Sequence, residues 1–446
     1  MMAEILGRTE SLCPVCLKRL PAVRILEDGT VFLARTCPDH GEFKVAVWRG
    51  KPDLERWRRP KTPSRPERPQ TPANQGCPLD CGLCPEHGQH TCTALVEITQ
   101  ACDLGCPVCF ASSGAANAPE PTLEALAARL TALRRVAGRC NVQISGGEPA
   151  TRDDLPAIVA AARSADFALV QINSNGLRLA REPEFARALA DAGLDSVFLQ
   201  FDGSDSACAA LRGRPLLAEK LQAIDACAEA GLGVILVPTL VPGINDAELG
   251  HILDLGLSNS PTVRGVHFQP AASFGRFPWT PERPRLTLPE VLTALVAQSH
   301  GLLRAEDFHP PCCEHEMCSF SAQFRLKGGR LIPLSQGGSC CSPGQPLEAR
   351  EGAMQSRSIT ARQWAAPDQP RAPRTGADDF ERFLAGFSTR DRFSVSCMAF
   401  QDAWTVDLER VRGCCIHVAE ADGRRIPFCL YNLTSAEGRT LYRGRC

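Results

Sequence analysis

Between residues 93 and 277 the chain alternates short apolar runs with longer amphipathic stretches. The apolar runs are typical of buried strands, and the longer stretches have the period of helices with one apolar face. Alternation in units of about 30 residues predicts a parallel sheet with right-handed helical crossovers. Six such units allow either an incomplete α/β barrel or an open doubly wound sheet. The predicted strands span residues 94–99, 141–144, 168–172, 196–201, 233–240 and 265–269, and the predicted helices span residues 122–137, 153–164, 182–192, 217–230 and 246–257.

Proline and cysteine content divides the rest of the chain. Prolines in the segment after residue 50 disfavour a regular helix or a central strand there. Cysteines are dense on both sides of the α/β region. The predicted domains are a zinc-ribbon or rubredoxin-like domain (1–50), a proline-rich linker (51–76), a cysteine-rich segment for an auxiliary cluster (77–92), the α/β core (93–310) and a cysteine-rich C-terminal region (311–446) with a linker near 365–378.

Charge and hydropathy exclude several classes of protein. The 446 residues carry 49 Lys and Arg against 50 Asp and Glu, which argues against a nucleic-acid partner. The longest strictly apolar run, residues 157–162, falls far short of the roughly 20 residues of a transmembrane helix. The first ten residues lack the apolar core of a signal peptide. We therefore expect a soluble, cytoplasmic protein, in which 23 cysteines bind metals instead of forming disulfides.

One cysteine pattern recurs in the sequence. The spacing CxxxCxxC occurs at Cys77, Cys81 and Cys84, and again at Cys102, Cys106 and Cys109. Only the second motif follows a predicted strand directly, at the end where α/β barrels place their reactive groups. Three thiolates can hold three corners of a [4Fe–4S] cluster, which leaves one iron open to a substrate or cofactor. A zinc site or buried thiols are the alternative, although zinc usually takes four ligands.

The second predicted strand ends in Ser145-Gly146-Gly147-Glu148-Pro149. Glycines allow a ligand to approach the backbone closely, and a glutamate can accept a hydrogen bond from an amine. A CxxxCxxC loop after the first strand and a GGE motif after the second resemble the radical S-adenosylmethionine (SAM) superfamily. This resemblance covers residues 93–277. It implies a partial (β/α)6 TIM-type barrel with small cysteine-rich metal-binding regions at both termini.

The resemblance also implies a mechanism and its residues. Cys102, Cys106 and Cys109 would bind the open [4Fe–4S] cluster, whose free iron takes the amino and carboxylate groups of SAM. One-electron reduction would then cleave the sulfonium and give a 5′-deoxyadenosyl radical that abstracts hydrogen. The implied cofactor contacts are Gly146, Gly147, Glu148, Pro149, Asn175, Gln200 and Asp202. The last three could instead be strand-end turn residues, and Val108 stands where the superfamily often has an aromatic residue.

Two further metal sites are predicted. The first is a CxxC…CxxH ribbon, which suits tetrahedral Zn²⁺, or a mononuclear iron if a distant cysteine replaces the histidine. The second is an auxiliary iron–sulfur cluster, with zinc as the alternative. In adjacent cysteine pairs such as Cys414/Cys415, we expect one residue to ligate and the other to pack. The ribbon ligands would be Cys13, Cys16, Cys37 and His40, and the auxiliary ligands Cys77, Cys81, Cys84 and Cys92, where a C-terminal cysteine could replace Cys92.

The CPxC…CPxHG ribbon, the motif of residues 76–92 and tail blocks such as Ser396-Cys397-Met-Ala-Phe400 narrow the resemblance. They resemble a subgroup that contains archaeal tetraether lipid synthases and hydroxymethylpterin dimethyltransferase-like proteins. The resemblance implies hydrogen abstraction at unactivated carbon, first for carbon–carbon bond formation on lipid chains. A C-methyltransferase of a pterin-like or other small molecule is the alternative, and a non-catalytic electron carrier or metal-binding protein is an alternative of another class. The implied partners are a flavodoxin or ferredoxin and a lipid or small-molecule substrate, with peripheral membrane contact allowed.

Overall fold

The computed structural model of the chain describes residues 3–67, 69–114, 119–279, 284–334, 346–367 and 389–444. Cys340, Cys341 and Cys446 lie outside these residues, as does most of the predicted linker near 365–378. The described residues fold into a small antiparallel sheet and a large, mostly parallel sheet.

The N-terminal sheet is a meander of four strands paired in chain order. The sequence predicts only a short β-like stretch at residues 30–34, within the third strand, because the other strands mix charged and apolar residues. Its first and third turns lie at the same end and carry the cysteines of the predicted ribbon. The strands are β1 (Glu4–Leu12), β2 (Arg19–Glu27), β3 (Thr30–Cys37) and β4 (Gly41–Arg49).

The six predicted βα units are present as six neighbouring parallel strands, which confirms the predicted α/β fold class. The fifth predicted strand is split at Pro238, which has no N–H to donate to a ladder. The residual piece is β11 (Thr239–Leu240), which pairs with β12 (Val263–Pro270). The six are β6 (Thr93–Thr99), β7 (Asn141–Gly146), β8 (Leu169–Ser174), β9 (Ser196–Gln200), β10 (Gly233–Val237) and β12 (Val263–Pro270).

The C-terminal region contributes strands to the same sheet. β16 (Arg392–Met398) lies parallel to β12, and β17 (Ile416–Ala419) lies parallel to β6. The sheet therefore crosses the predicted domain boundary at residue 310, and eight parallel strands are neighbours in it. Three antiparallel strands extend the sheet at its two edges: β13 (Ser319–Lys327) pairs with β16, β14 (Arg330–Pro333) pairs with β13, and β18 (Arg425–Pro427) pairs with β17. A separate two-stranded ladder joins β5 (Lys61–Thr62) to β15 (Leu347–Glu348).

Helices cover the outer face of the parallel strands. None of the described helices is both long and apolar enough to cross a lipid bilayer. The α-helices of the described residues, whichever part of the protein they cover, are α1 (Leu54–Trp57), α2 (Leu123–Ala137), α3 (Leu155–Ser164), α4 (Leu177–Arg181), α5 (Pro183–Asp191), α6 (Asp205–Arg212), α7 (Leu217–Ala230), α8 (Leu249–Ser258), α9 (Leu288–Gln298), α10 (Ala349–Trp364), α11 (Leu408–Arg412) and α12 (Phe428–Tyr431).

Successive side chains of each parallel strand point alternately to a packed outer core and to the barrel interior. In β6, Ala94, Val96 and Ile98 belong to the main apolar core beneath the helices. Leu95, between them, lines an interior cavity. Helix α10 lies at the amino ends of the strands, where the Trp364 carbonyl is so close to Gly233 that a Cβ there would lie 2.6 Å away. The barrel interior is thus open at its centre and covered by α10 at one end.

Candidate functional site

The three cysteines of the second CxxxCxxC motif lie in the loop after β6, and all three line one cavity. This cluster loop (residues 100–114) is held by hydrogen bonds. The Cys109 N–H donates to the Arg276 carbonyl, and the Arg276 N–H to the Cys109 carbonyl, each at 2.9 Å. The Arg276 guanidinium also donates to the carbonyls of Cys106 (2.6 Å) and Ser113 (3.1 Å). Burial raises the pKa of the Cys102 thiol to about 12, so a bound metal is what would stabilise this residue as a thiolate.

Gly146 and Gly147 allow β7 to contact the start of the cluster loop. A Cβ atom on Gly147 would lie 2.1 Å from the Ala101 carbonyl oxygen, and one on Gly146 would lie 2.2 Å from that of Thr99. An ordinary carbon–oxygen contact needs about 3.3 Å. Only glycine therefore fits at either position, before any contact with a cofactor is considered.

Glu148 is buried at the cavity wall, where its carboxylate is partly satisfied. Oε1 accepts hydrogen bonds from Ala150 N (3.0 Å) and Ser174 Oγ (2.8 Å), and Oε2 accepts one from Asn175 N (2.6 Å). A carboxylate offers about four acceptor positions, so about one remains for a ligand amine. Burial raises the pKa of Glu148 to about 7, and a nearby ammonium group would favour the ionised form. Pro149 opens the next turn and is not part of the cavity wall.

Of the three other predicted cofactor contacts, Asn175 and Gln200 line the cavity and Asp202 does not. Asn175 Nδ2 donates to Asp103 Oδ1 at 2.7 Å, so this side chain holds the cluster loop. Asp202 is fully buried, and its carboxylate accepts hydrogen bonds from Arg212 Nε (2.7 Å) and Nη2 (2.8 Å). Asp202 therefore lies behind Arg212 and holds the Arg212 side chain at the cavity wall. This position differs from the predicted one, in which Asp202 contacts a cofactor.

Sequence reasoning misses two buried basic residues, Arg212 and Lys220. Arg212 lines the cavity, and its Nη1 donates to the carbonyl of Val108 in the cluster loop at 3.0 Å. Lys220 Nζ donates to Gln200 Oε1 at 3.2 Å, and burial lowers the pKa of this lysine to about 8. Lys220 stands on the buried face of α7. A lysine at a position that the helical period assigns to the core is the signal that could have revealed it.

The cavity has a volume of about 780 Å³ and runs through the barrel interior. Its wall includes the cluster loop after β6 and Cys92, which directly precedes β6. The seven residues of β6 rise about 3.3 Å each, so these two ends are roughly 20 Å apart. More of the wall is apolar than polar. Its aromatic rings belong to Phe110, Phe198, Phe274, Phe320, Trp364, Phe400 and Phe428.

A strip of polar side chains interrupts this apolar wall near mid-depth. His267 Nδ1 lies 2.8 Å from Ser396 Oγ, and burial lowers the pKa of this histidine to about 4. Gln143 Nε2 donates to Gln171 Oε1 at 2.6 Å in the same interior. Neutral hydrogen-bonding groups therefore face part of an otherwise apolar space.

A second cysteine group closes the far end of the cavity. The Sγ atoms of Cys92, Cys313 and Cys415 lie within 4.8 Å of one another, and those of Cys313 and Cys415 are 3.1 Å apart. Glu314 Oε2 is 2.7 Å from the Cys313 Sγ. Hydrogen bonds from Cys313 and Cys415 hold the pKa of Cys92 well below its usual value. Three buried sulfurs that share protons fit a metal centre, which we call the distal cysteine group.

This arrangement regroups Cys92, which sequence spacing places with the first CxxxCxxC motif. Cys92 directly precedes β6 and Cys415 directly precedes β17, and these two strands are parallel neighbours. Pairing of the strands therefore brings the two cysteines together. The first motif is buried elsewhere, and the pKa of Cys81 is raised well above its usual value, first by a hydrogen bond with Cys77 and then by burial.

Adjacent Cys414 and Cys415 face different neighbours, as expected for an extended chain. Cys415 belongs to the distal cysteine group, whereas Cys414 lines a separate cavity of about 30 Å³ with Cys318 and Cys429. Both residues of the pair therefore lie beside other cysteines, although one of them was expected only to pack.

The predicted ribbon residues Cys13, Cys16, Cys37 and His40 come together at one end of the N-terminal sheet. His40 Nδ1 is 3.6 Å from Cys13 Sγ and 3.5 Å from Cys37 Sγ, and the sulfurs of Cys16 and Cys37 are 4.0 Å apart. A tetrahedral ion with metal–sulfur bonds of about 2.3 Å and metal–nitrogen bonds of about 2.0 Å separates its ligands by roughly 3.5–3.8 Å. The geometry fits one Zn²⁺ or one mononuclear iron.

Comparison with known proteins agrees with this chemistry. Residues 96–256 match the Radical SAM superfamily, and residues 5–49 match the HMPTM N-terminal zinc ribbon domain. The 7,8-dihydro-6-hydroxymethylpterin dimethyltransferase of Methanocaldococcus jannaschii is 33% identical, over 95% of this chain and 93% of that protein. The chain belongs to the radical SAM superfamily, in the family of this archaeal enzyme. The resemblance inferred from the two motifs is thereby confirmed.

Other radical SAM proteins are similar over less of the chain. The GTP 3′,8-cyclase of Paenarthrobacter nicotinovorans is 28% identical over 42% of this chain, which spans 54% of that protein. A solved radical SAM methyltransferase from Sphaerobacter thermophilus is 18% identical with a TM-score of 0.34, and the match covers 63% of this chain and 74% of that one. As a radical SAM enzyme, the protein requires a [4Fe–4S] cluster, SAM and a source of electrons.

Proposed function

We propose that the protein binds an open [4Fe–4S] cluster on Cys102, Cys106 and Cys109 and SAM beside it, and that it acts at an unactivated carbon. When bound and reduced, the cluster and SAM supply a 5′-deoxyadenosyl radical that removes a hydrogen atom. The position of the three cysteines at one cavity wall, in a loop braced by Arg276, supports this ligand set.

The surrounding residues suit the polar ends of SAM. The remaining acceptor position of Glu148 suits the ammonium group, and the adjacent glycines keep the backbone close to it. Arg212 lies at the cavity wall with its charge paired to Asp202, and its guanidinium keeps an N–H of Nη1 that could donate to a carboxylate. Gln200 and Asn175 line the same wall and offer amide groups for the ribose hydroxyls.

The largely apolar cavity is the observation that carries the choice of substrate. A hydrocarbon chain would bury apolar surface along the larger, apolar part of the wall. A cavity that extends roughly 20 Å along β6 also accommodates an elongated molecule. We therefore propose carbon–carbon bond formation on lipid chains as the leading reaction.

Further metal centres are part of the proposal. The distal cysteine group would hold an auxiliary centre in contact with the substrate cavity. The first CxxxCxxC motif would hold another iron–sulfur centre on Cys77, Cys81 and Cys84. The N-terminal ribbon would hold Zn²⁺ or mononuclear iron. A flavodoxin or ferredoxin would supply electrons, because the catalytic cluster must be reduced for each turnover.

Methylation of a pterin-like or other small molecule is the second candidate. The activity for which the M. jannaschii relative is named favours it, as does the polar strip around His267 and Gln143. A heteroaromatic ring could stack on Phe198 and hydrogen-bond to this strip, near mid-depth of the cavity.

Product analysis tests both. Anaerobically reconstituted protein is incubated with SAM, dithionite and either membrane lipids or a hydroxymethylpterin, and the nucleoside products are separated. Coupling of chains should give two 5′-deoxyadenosines for each new bond. Methyl transfer should give S-adenosylhomocysteine. Cys106→Ala is the control, and if the wild-type protein forms no 5′-deoxyadenosine at all, the proposed function is refuted.

A further inference from the structure

Residues 402–407 form one of several contacts between the N-terminal ribbon and the rest of the protein. Arg35 Nε donates to the carbonyl of Leu12, which precedes the first ribbon cysteine, at 2.9 Å. Its Nη2 donates to the carbonyls of Ala403 (3.2 Å) and Trp404 (2.7 Å). The Ser11 hydroxyl donates to the carbonyl of Val406 at 2.6 Å. Buried hydrogen bonds therefore connect the metal-binding end of the ribbon to this stretch.

Asp402 begins the stretch and faces in two directions. Its Oδ1 accepts from Trp404 N (3.0 Å) and from both the N–H and the hydroxyl of Thr405 (3.2 and 3.1 Å). Its Oδ2 accepts from Ser273 N at 2.8 Å and from the Arg285 guanidinium. The side chain is fully buried. One carboxylate thus joins the turn that carries the ribbon to the segment that begins at Ser273.

Residues 273–276 are in turn packed against the cluster loop. A Cβ on Gly275 would lie 2.6 Å from the Phe110 carbonyl oxygen and 2.7 Å from that of Cys109. Next to it, Arg276 exchanges two backbone hydrogen bonds with Cys109 and donates to the carbonyl of Cys106. A shift of this segment therefore moves two of the three cysteines proposed to hold the cluster.

We propose that the N-terminal ribbon braces the cluster loop through Asp402, so that metal in the ribbon maintains the geometry of the open cluster. In this view the ribbon metal is structural, and Arg35 and Asp402 are positioning residues. The inference rests on the proposed cluster ligands, because its effect is transmitted to Cys106 and Cys109.

The link can be cut at Asp402 without touching either metal site. Asp402→Asn places an NH2 group against a backbone N–H, either that of Ser273 or that of Trp404, whichever way the amide is oriented. Glu409→Gln is the matched control. Glu409 Oε2 is also bound to the ribbon, through Arg24 Nη2 at 2.6 Å, but it lies outside the path to the cluster loop.

The experiment uses the full chain, anaerobically reconstituted, and measures ribbon metal, cluster iron and the EPR spectrum of the reduced cluster as SAM is titrated. We expect Asp402→Asn to keep its ribbon metal and iron but to bind SAM about tenfold more weakly, the effect of one lost hydrogen bond to a charged group. Glu409→Gln should titrate like wild type. Equal titrations for Asp402→Asn and wild type overturn the inference.

A second arm starts from the ribbon. Arg35→Lys loses the paired contacts to Ala403 and Trp404, and if both residues act on one path, its effect should not add to that of Asp402→Asn. Additive effects of the two substitutions overturn the brace, because independent structural roles would add. If the wild-type cluster shows no response to SAM, the proposed function fails instead, and the two failures are distinguishable.

Discussion

Gly147→Ala offers a direct test of the packing between β7 and the cluster loop. The added Cβ would lie 2.1 Å from the Ala101 carbonyl oxygen, and restoring an ordinary contact of about 3.3 Å requires a shift of roughly 1 Å. That carbonyl also accepts the Glu148 N–H at 2.8 Å. The displacement therefore moves the carboxylate proposed to bind SAM and the loop proposed to hold the cluster in the same step.

A misplacement of about 1 Å at a reacting group costs about 100-fold in rate, equivalent to about 2.7 kcal/mol of activation free energy. We expect Gly147→Ala to reduce dithionite-dependent 5′-deoxyadenosine formation by that factor at saturating SAM. The assay is liquid chromatography of the nucleoside product, with iron and sulfide determined on the same samples.

Gly105→Ala is the matched control, because it lies in the cluster loop itself and no atom of the described residues is within 4 Å of the position of its Cβ. It should remain close to the wild-type rate. If Gly147→Ala and Gly105→Ala retain similar rates and similar iron, the steric argument is refuted, and the glycine would matter only through the cofactor.

Three further predictions address the metals and Glu148. Cys92→Ser should remove the same metal as Cys313→Ser, because the two sulfurs belong to one group. Metal analysis and Mössbauer spectra measure this, and a Cys92→Ser spectrum that instead matches the spectrum of a Cys81→Ser variant would contradict it. Because burial raises the pKa of Glu148 to about 7, SAM should bind more tightly as the pH rises towards 7 and level off above it, and a titration with Glu148→Gln should lack this slope. His40→Ala should remove one metal per chain and lower the unfolding temperature of the ribbon in calorimetry, because metal binding contributes its folding free energy, whereas exposed Lys44→Ala should do neither.

The parts of the structure that follow from local sequence could be predicted. Strand-and-helix alternation gave the six parallel strands, and two short motifs at strand ends marked the cluster loop and Gly146–Glu148. Both signals need only neighbouring residues, because parallel strands place their carboxyl ends at the same edge of the sheet.

Features built from distant segments could not be predicted. Cys415 meets Cys92 because β17 pairs with β6, whereas Cys313, 102 residues before Cys415, joins them from the segment that precedes β13. That pairing depends on long-range closure of the sheet, on which local periodicity carries no information. The resemblance implies that Asp202 contacts a cofactor, but its carboxylate binds Arg212, a partner on the following helix that spacing does not identify.

The two proposed reactions make different demands on the far end of the cavity. A substrate that reaches from the cluster loop to the distal cysteine group must extend roughly 20 Å, the length of β6. A bicyclic ring is too short to contact both ends, so methylation of such a ring at the open cluster would leave the distal group without contact to the substrate. A hydrocarbon chain can contact both. Substitution of Cys313 should therefore change the products on lipids while leaving 5′-deoxyadenosine formation intact. It should leave methylation of a small ring unchanged, because only an elongated substrate would connect the two proposed metal centres.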